Sequence, residues 1–213
     1  AGPARVLWPG WKLRVYAGAG VPAIVLDILK RNGVELKDMR ANTLPPAMWR
    51  FLVADDPGVE VWLCRDADAL LLERDRDLVL QWLESPRSFH VIRDHPMHVE
   101  LMLAGLWGGR KGFSPSMKQL ITSHETLPWD REQDQRFLAD TVWPTIRSDV
   151  LVHDHCYSQA DPRARNVDAP EDHKLHVGAG QHIPAGTPLQ ELLGNLPLTL
   201  SPEDKAFLQA MIG

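Results

Sequence analysis

Apolar and polar positions alternate over Trp11-Lys12-Leu13-Arg14-Val15-Tyr16, the period of a half-buried strand. Ile24, Val25, Ile28 and Leu29 then recur at helical spacing behind Pro22, and Asn32-Gly33 supplies a helix stop. Val34-Glu35-Leu36 is a short strand, so the chain opens as β-α-β, which implies parallel pairing. Residues 47–54 return to helical spacing, with Met48, Phe51 and Leu52 available for a core. The turn Asp55-Asp56-Pro57-Gly58 leads into the apolar strand Val59–Cys64, the main buried strand of the pattern.

The remaining chain keeps alternating. A helix is predicted over Arg74–Glu84, with Leu78, Val79, Trp82 and Leu83 on one side, and Ser85-Pro86 stops it. Ser88–Arg93 is a strand followed by the polar loop Asp94-His95-Pro96-Met97-His98. Met102–Gly109 is apolar and rich in glycine, the pattern of a strand passing close to something bulky. Helices over Ser114–His124 and Asp134–Trp143 follow, the second stopped by Pro144. Val150–His155 is a strand with polar groups at its end; Ser158–His173 is charged and loop-like; Leu175–Gly180 is a short strand running into glycines. A proline-rich stretch with a short helix at Leu189–Leu193 and a final helix capped by Ser201 close the chain. The fold class expected is α/β, a mixed, mainly parallel sheet flanked by helices. Residues 1–183 would form one domain, and 184–213 a small C-terminal helical extension.

Composition narrows the function classes. With 213 residues and a net charge of -5, the chain has no general attraction for nucleic acid or anionic membranes. Two cysteines, Cys64 and Cys156, make neither a disulfide framework nor a zinc pattern. Cys64 sits in the apolar strand as a small hydrophobe. No apolar run has the length of a transmembrane segment and no signal peptide is visible, so a cytoplasmic protein is expected. Eight tryptophans are a marked excess, which serves core packing and, slightly, sugar stacking.

The chemistry concentrates where the main apolar strand ends. Asp66 and Asp68 lie one residue apart, and on an extended chain they point the same way. Two carboxylates there are hard oxygen donors suited to Mg²⁺ or Mn²⁺, with room for a diphosphate to complete the coordination. After the next strand, His90, Arg93, Asp94, His95 and His98 form a polar cluster in which Arg93 could pair with phosphate.

Five segments carry a resemblance: Trp49-Arg50-Phe51, Arg65-Asp66-Ala67-Asp68, Phe89-His90-Val91-Ile92-Arg93-Asp94-His95-Pro96, Gly105-Leu106-Trp107-Gly108 and Asp134-Gln135-Arg136-Phe137-Leu138. Their order and spacing resemble bacterial glycosyltransferase-like proteins of the GT-A fold, a Rossmann-like architecture. The likeness extends distantly to glycogenin-type and lipooligosaccharide galactosyltransferases. The resemblance covers Trp8 to His155, with an echo at His176. It implies a nucleotide-diphosphate sugar as donor and a glycan, lipid-linked glycan, protein or small molecule as acceptor. Asp66 and Asp68 would hold Mn²⁺ or Mg²⁺, with His176 as third ligand and His153 and His155 as competitors for that role. Arg50 would lie under the nucleotide sugar; Ala104-Gly105 would flank the donor sugar; Asp134 and Gln135 would sit near its reactive carbon as the catalytic pair. Asp94 and His95 would line the substrate site. An asparagine common before the Ala-Gly turn is replaced by Leu103. GT-A folds also begin with a strand that grips base and ribose, and nothing strand-like precedes Val6, so that element is expected to be missing or reduced.

Two other readings fit the same carboxylates. A haloacid-dehalogenase-like phosphohydrolase would use the first aspartate as nucleophile, but its motif lies on the first strand and continues to Thr or Val, whereas Ala69-Leu70 follows here. A non-catalytic sugar- or nucleotide-binding relative would keep the fold and lose turnover.

Overall fold

The computed structural model of the chain describes residues 2–124, 132–155, 163–168, 170, 172 and 175–180. They fall into two compact units, residues 2–41 and Asn42–Gly180. The expected C-terminal helices, the extension 184–213 and Cys156 lie outside the described residues.

The first unit contains α1 (Gly2–Leu7), β1 (Arg14–Ala17), α2 (Ala23–Arg31) and β2 (Glu35–Asp38). The predicted β-α-β is present: β1 and β2 pair in parallel, with Val15 opposite Leu36. The Asn32 side chain closes α2 by donating to the Ile28 carbonyl at 2.9 Å, and Gly33, at φ +70°, turns the chain out of the helix. The expectation of one sheet needs correction, because β1 and β2 form a two-stranded sheet of their own. Arg14, Glu35 and Lys37 make these short strands half-polar, unlike the buried strands that follow.

The second unit holds a five-stranded sheet made of β3 (Val61–Cys64), β4 (Phe89–Arg93), β5 (Trp107–Arg110), β6 (Val150–Asp154) and β7 (Ala164–Asn166), in the order β3-β5-β4-β6-β7. Only β5 runs against its neighbours, so β3, β4, β6 and β7 all end at the same edge. That edge collects the polar residues after the strands, where open α/β sheets bind ligands. The strand of the acidic pair lies at one border of this sheet, not at its centre. Its partner β5 has to be glycine-rich: a Cβ on Gly108 would fall 2.6 Å from the Trp62 carbonyl oxygen, and one on Gly109 would fall 2.6 Å from the Trp62 ring.

The core of this unit is aromatic. Trp62 and Trp107 meet edge to face at 4.6 Å, and Phe51 joins Trp107 and Phe137 at 5.6 and 6.1 Å. Trp62, Trp82, Trp107 and Trp143 are all buried, so this part of the tryptophan excess serves packing. Phe51 and Met48 come from a 3₁₀ helix, Pro46–Asp55, whose three-residue turn stacks them on one line. Asp55, at its end, caps the distant helix α4 (Met117–Ser123): its oxygens accept the N–H groups of Met117 and Lys118 at 2.7 and 2.8 Å and the Ser116 hydroxyl at 2.9 Å.

α3 (Glu73–Leu83) matches the predicted helix and buries Leu78, Val79 and Trp82. Arg65 forks onto Asp75 of α3 at 2.6 and 2.9 Å while donating to the Cys64 carbonyl at 2.7 Å, which ties this helix to the end of β3. Three other expectations change. Pro144 does not stop its helix: α5 (Gln133–Phe137) passes through a π-helical turn at Leu138–Val142 into α6 (Trp143–Ile146). The wider turn places the proline at the start of α6, where its missing N–H costs nothing. Within the loop-like stretch Ser158–His173, β7 adds a three-residue border strand held by main-chain bonds, which its polar residues do not advertise. Leu175–Gly180 is a set of turns with one bridge, Gly180 to Ala69, because its glycines break a ladder.

Candidate functional site

A cavity of about 280 Å³ opens among Arg50, Asp66, Gly105, Asp134, Gln135 and His98. The sheet topology explains the convergence. β5 is antiparallel to β3, with Cys64 opposite Trp107, so the residues that leave β3 meet those that lead into β5. Asp66 therefore faces Gly105, and a Cβ on residue 105 would fall 2.8 Å from the Asp66 Cγ. The 3₁₀ helix contributes Arg50, and the start of α5 contributes Asp134 and Gln135.

Arg50 is the hub. Its Nη1 donates to Asp66 Oδ1 and its Nη2 to Asp134 Oδ2, the latter at 2.7 Å. One planar guanidinium thus fixes two carboxylates from parts of the chain 68 residues apart, from 66 to 134. Burial alone would lower the Arg50 pKa, but Asp66 and Asp134 raise it above the ordinary arginine value, so it stays charged. Asp134 Oδ1 also accepts the Gln135 N–H at 2.9 Å, which sets the turn into α5. Two buried polar atoms here have no hydrogen-bond partner, Arg50 Nε and Gln135 Oε1. One is a donor and the other an acceptor, as a polyhydroxylated ligand would require.

Asp68 is exposed and lies against the segment 175–180: its Oδ2 would sit 3.4 Å from a Cβ on Gly180, and the Leu70 N–H donates to the Ala179 carbonyl at 2.8 Å. That segment carries His176, so residues 66–70 and His176 come from neighbouring stretches. His176 Nδ1–H donates to the Val177 carbonyl at 3.0 Å, which leaves the Nε2 lone pair available to a ligand. The donor chemistry of Asp66 and Asp68 fits a hard divalent cation, although Asp66 Oδ1 is already engaged by Arg50.

The other predicted site residues lie outside the cavity lining. Asp94 is fully buried beneath it, with Oδ2 accepting from Arg74 Nε at 2.7 Å and from the Val177 N–H at 3.1 Å. Burial would raise the Asp94 pKa, but His98, Arg74 and the Val177 N–H outweigh it, and the carboxyl lies below its usual value. The His95 ring packs on His176 at 4.4 Å between centroids. His153 on β6 is buried against His90 of the adjacent strand β4, Nδ1 to Nε2 at 2.7 Å. His155 Nδ1–H donates to the Val167 carbonyl at 2.9 Å. Of the three histidines considered for the metal, His153 is thus committed to His90. Cys64 is buried, and desolvation pushes its thiol up to about 12, as a packing residue.

Two residues gain importance beyond what the sequence assigned them. His98 lines the cavity four residues after Asp94, and that i,i+4 spacing was the available signal. Arg74 sits at the start of α3, and nothing in its neighbourhood of the sequence marks it as the partner of Asp94.

No protein-family model matches the chain, and no curated protein matches it. Among solved structures, a glycosyltransferase involved in the glycosylation of the major capsid of PBCV-1 is similar over 68% of this chain and 82% of that one, at 15% identity and a TM-score of 0.44. Among the described residues no helix is long and apolar enough to cross a membrane.

Proposed function

We propose that this protein is a metal-dependent hexosyltransferase that moves a sugar from a nucleotide-diphosphate donor to a glycan, lipid-linked glycan, protein or small-molecule acceptor. One observation carries the reading: Arg50, Asp66, Gly105, Asp134 and Gln135, each assigned a donor-site role by the sequence resemblance, line one cavity. Its volume of about 280 Å³ suits a monosaccharide unit better than a whole nucleotide sugar, so the nucleotide would extend out of it.

In this reading Asp66 and Asp68 would hold Mn²⁺ or Mg²⁺, which would supply Lewis-acid stabilisation to a diphosphate leaving group. Arg50 holds Asp66 and Asp134 in fixed positions before the donor arrives, which removes a reorganisation cost from the reaction. Gln135 Oε1 and Arg50 Nε hydrogen-bond sugar hydroxyls. Asp134 stands beside the sugar's reactive carbon as an anion that stabilises developing positive charge there.

The test is a thermal-shift series with UDP- and GDP-sugars, with and without Mn²⁺, on the intact chain. The expected result is a melting-temperature rise that needs both nucleotide sugar and metal and is lost in Asp68→Asn. No response to any donor, together with hydrolysis of a generic phosphate ester, would replace this reading with the phosphohydrolase one. Sugar binding without a nucleotide response would leave a non-catalytic module.

A further inference from the structure

We propose that Asp94, His98 and His176 form a binding site for a divalent transition-metal ion, distinct from the carboxylate pair Asp66 and Asp68. One ligand atom from each of the three residues can be chosen so that all lie within 4.8 Å of one another, the only such group of three among the described residues. The residues reach this point from two parts of the chain: Asp94 and His98 from the loop after β4, His176 from the turns near Gly180.

The second observation is an unmet need. Asp94 Oδ1 and His98 Nδ1 are both buried and neither has a hydrogen-bond partner. The two atoms are 3.5 Å apart without the alignment of a hydrogen bond, and the residues are 0% and 8% exposed. Leaving such an atom unsatisfied destabilises the fold, because its lost hydration is not replaced. An ion between them would take a lone pair from each.

The surroundings hold the donors in ligating form. Arg74 and the Val177 N–H occupy Asp94 Oδ2, which keeps the carboxylate ionised and directs Oδ1 to a single role. The Val177 carbonyl takes the Nδ1 proton of His176, so Nε2 presents a lone pair. Val177 therefore orients two of the three ligands through its own peptide groups. The His95 ring packs against His176 at a 33° tilt, 4.4 Å between centroids, and restricts its rotation.

Two imidazoles and one carboxylate are the donor set of Zn²⁺, Fe²⁺, Co²⁺ and Mn²⁺ sites, and imidazole disfavours Mg²⁺ and Ca²⁺. Three protein ligands leave coordination positions open. His98 also lines the cavity, so the site borders the space assigned to the donor sugar. This assignment gives His176 to Asp94 and His98 in place of Asp66 and Asp68. It does not rest on the glycosyltransferase reading, since it concerns binding of the ion alone.

The experiment titrates the chelator-treated intact chain with Zn²⁺ and Co²⁺ in the absence of nucleotide, by calorimetry and by visible absorption of the cobalt form. The expected result is saturable binding of both ions, with the intense cobalt bands of low-coordinate nitrogen ligation. His98→Gln and His176→Gln should each weaken binding about tenfold or more and remove those bands, while Asp55→Asn, which lies outside the cavity and the three ligands, leaves both unchanged. Three results would overturn the proposal: no binding to the wild-type chain, a weak all-oxygen cobalt spectrum, or binding that His98→Gln leaves intact. The wild-type cobalt spectrum decides the ligand type even if a variant fails to fold. Failure of the donor-sugar reading shows separately, as loss of the nucleotide-sugar shift in the thermal series.

Discussion

Gly105 lies directly against the carboxylate of Asp66, so close that a Cβ at position 105 would stand 2.8 Å from Asp66 Cγ and 3.2 Å from its backbone nitrogen. The contact follows from the antiparallel register of β3 and β5, and it makes residue 105 part of the wall that positions Asp66. Gly105→Ala should push Asp66 off Arg50. The expected outcome is a nucleotide-sugar affinity reduced about tenfold or more, equivalent to about 1.4 kcal/mol, with the fold retained. Calorimetric titration with the donor measures it; unchanged affinity would separate Asp66 from the donor site.

Arg50 serves two anions, and lysine cannot replace it. An ammonium is a point charge without the planar fork that reaches Asp66 and Asp134 together. Arg50→Lys should keep most of the stability but lower donor affinity. Arg50→Gln should also destabilise the chain by about 1–3 kcal/mol, the low end reflecting the exposure of Asp66. Urea unfolding of both variants, compared with their donor affinities, separates the two effects.

Asp55 is a helix cap supplied from 62 residues away. Its carboxylate binds the first N–H groups of α4 in place of a cap within the helix itself. Asp55→Ala should cost about 1–2 kcal/mol of stability, and Asp55→Asn should recover a large part of it because its oxygen still accepts. Neither change should alter donor affinity, since Asp55 does not line the cavity. Chemical denaturation reads the first effect and titration the second.

The buried pair His90 and His153 predicts a pH dependence. Burial drives both pKa values down, His153 to about 4 with help from Arg165 and Arg74, and His90 well below its usual value with help from His153 and Arg65. The folded state keeps the pair neutral, whereas unfolded histidines gain protons below about pH 6.5. The unfolded chain therefore binds more protons in this interval, and stability falls as pH drops from about 6.5 toward 4. His153 alone accounts for a loss of the order of 3 kcal/mol at the bottom of that range. Urea midpoints between pH 7 and 4.5 should trace it, and the double change His90→Leu with His153→Leu should flatten the slope.

Much of the secondary structure is legible in the hydrophobic pattern alone. The opening β-α-β and the helix Glu73–Leu83 show through their period, and the strands ending at Cys64, Arg93 and Asp154 show as short apolar runs; both signals report burial. What failed to show was structure held by main-chain bonds or by context. β7 pairs through its backbone, so its side chains are free to be polar. The helix across Pro144 survives because a π-helical turn widens ahead of the proline, a choice made by packing of Leu138, Val142 and Ile146.

The sequence by itself singled out the candidate residues: Asp66, Asp68 and the histidines by type and position, Arg50, Asp134 and Gln135 through the resemblance. Their partners were decided only by the tertiary structure. Asp66 and Asp134 meet through Arg50 because β5 reverses direction and α5 begins beside the end of β3. His176 is brought to Asp94 and His98 by turns near Gly180, and His153 meets His90 because β6 pairs in parallel with β4. Periodicity encodes which face of an element is buried, a local property. Which element then lies opposite depends on strand direction and register, and these are settled by the summed packing of distant residues.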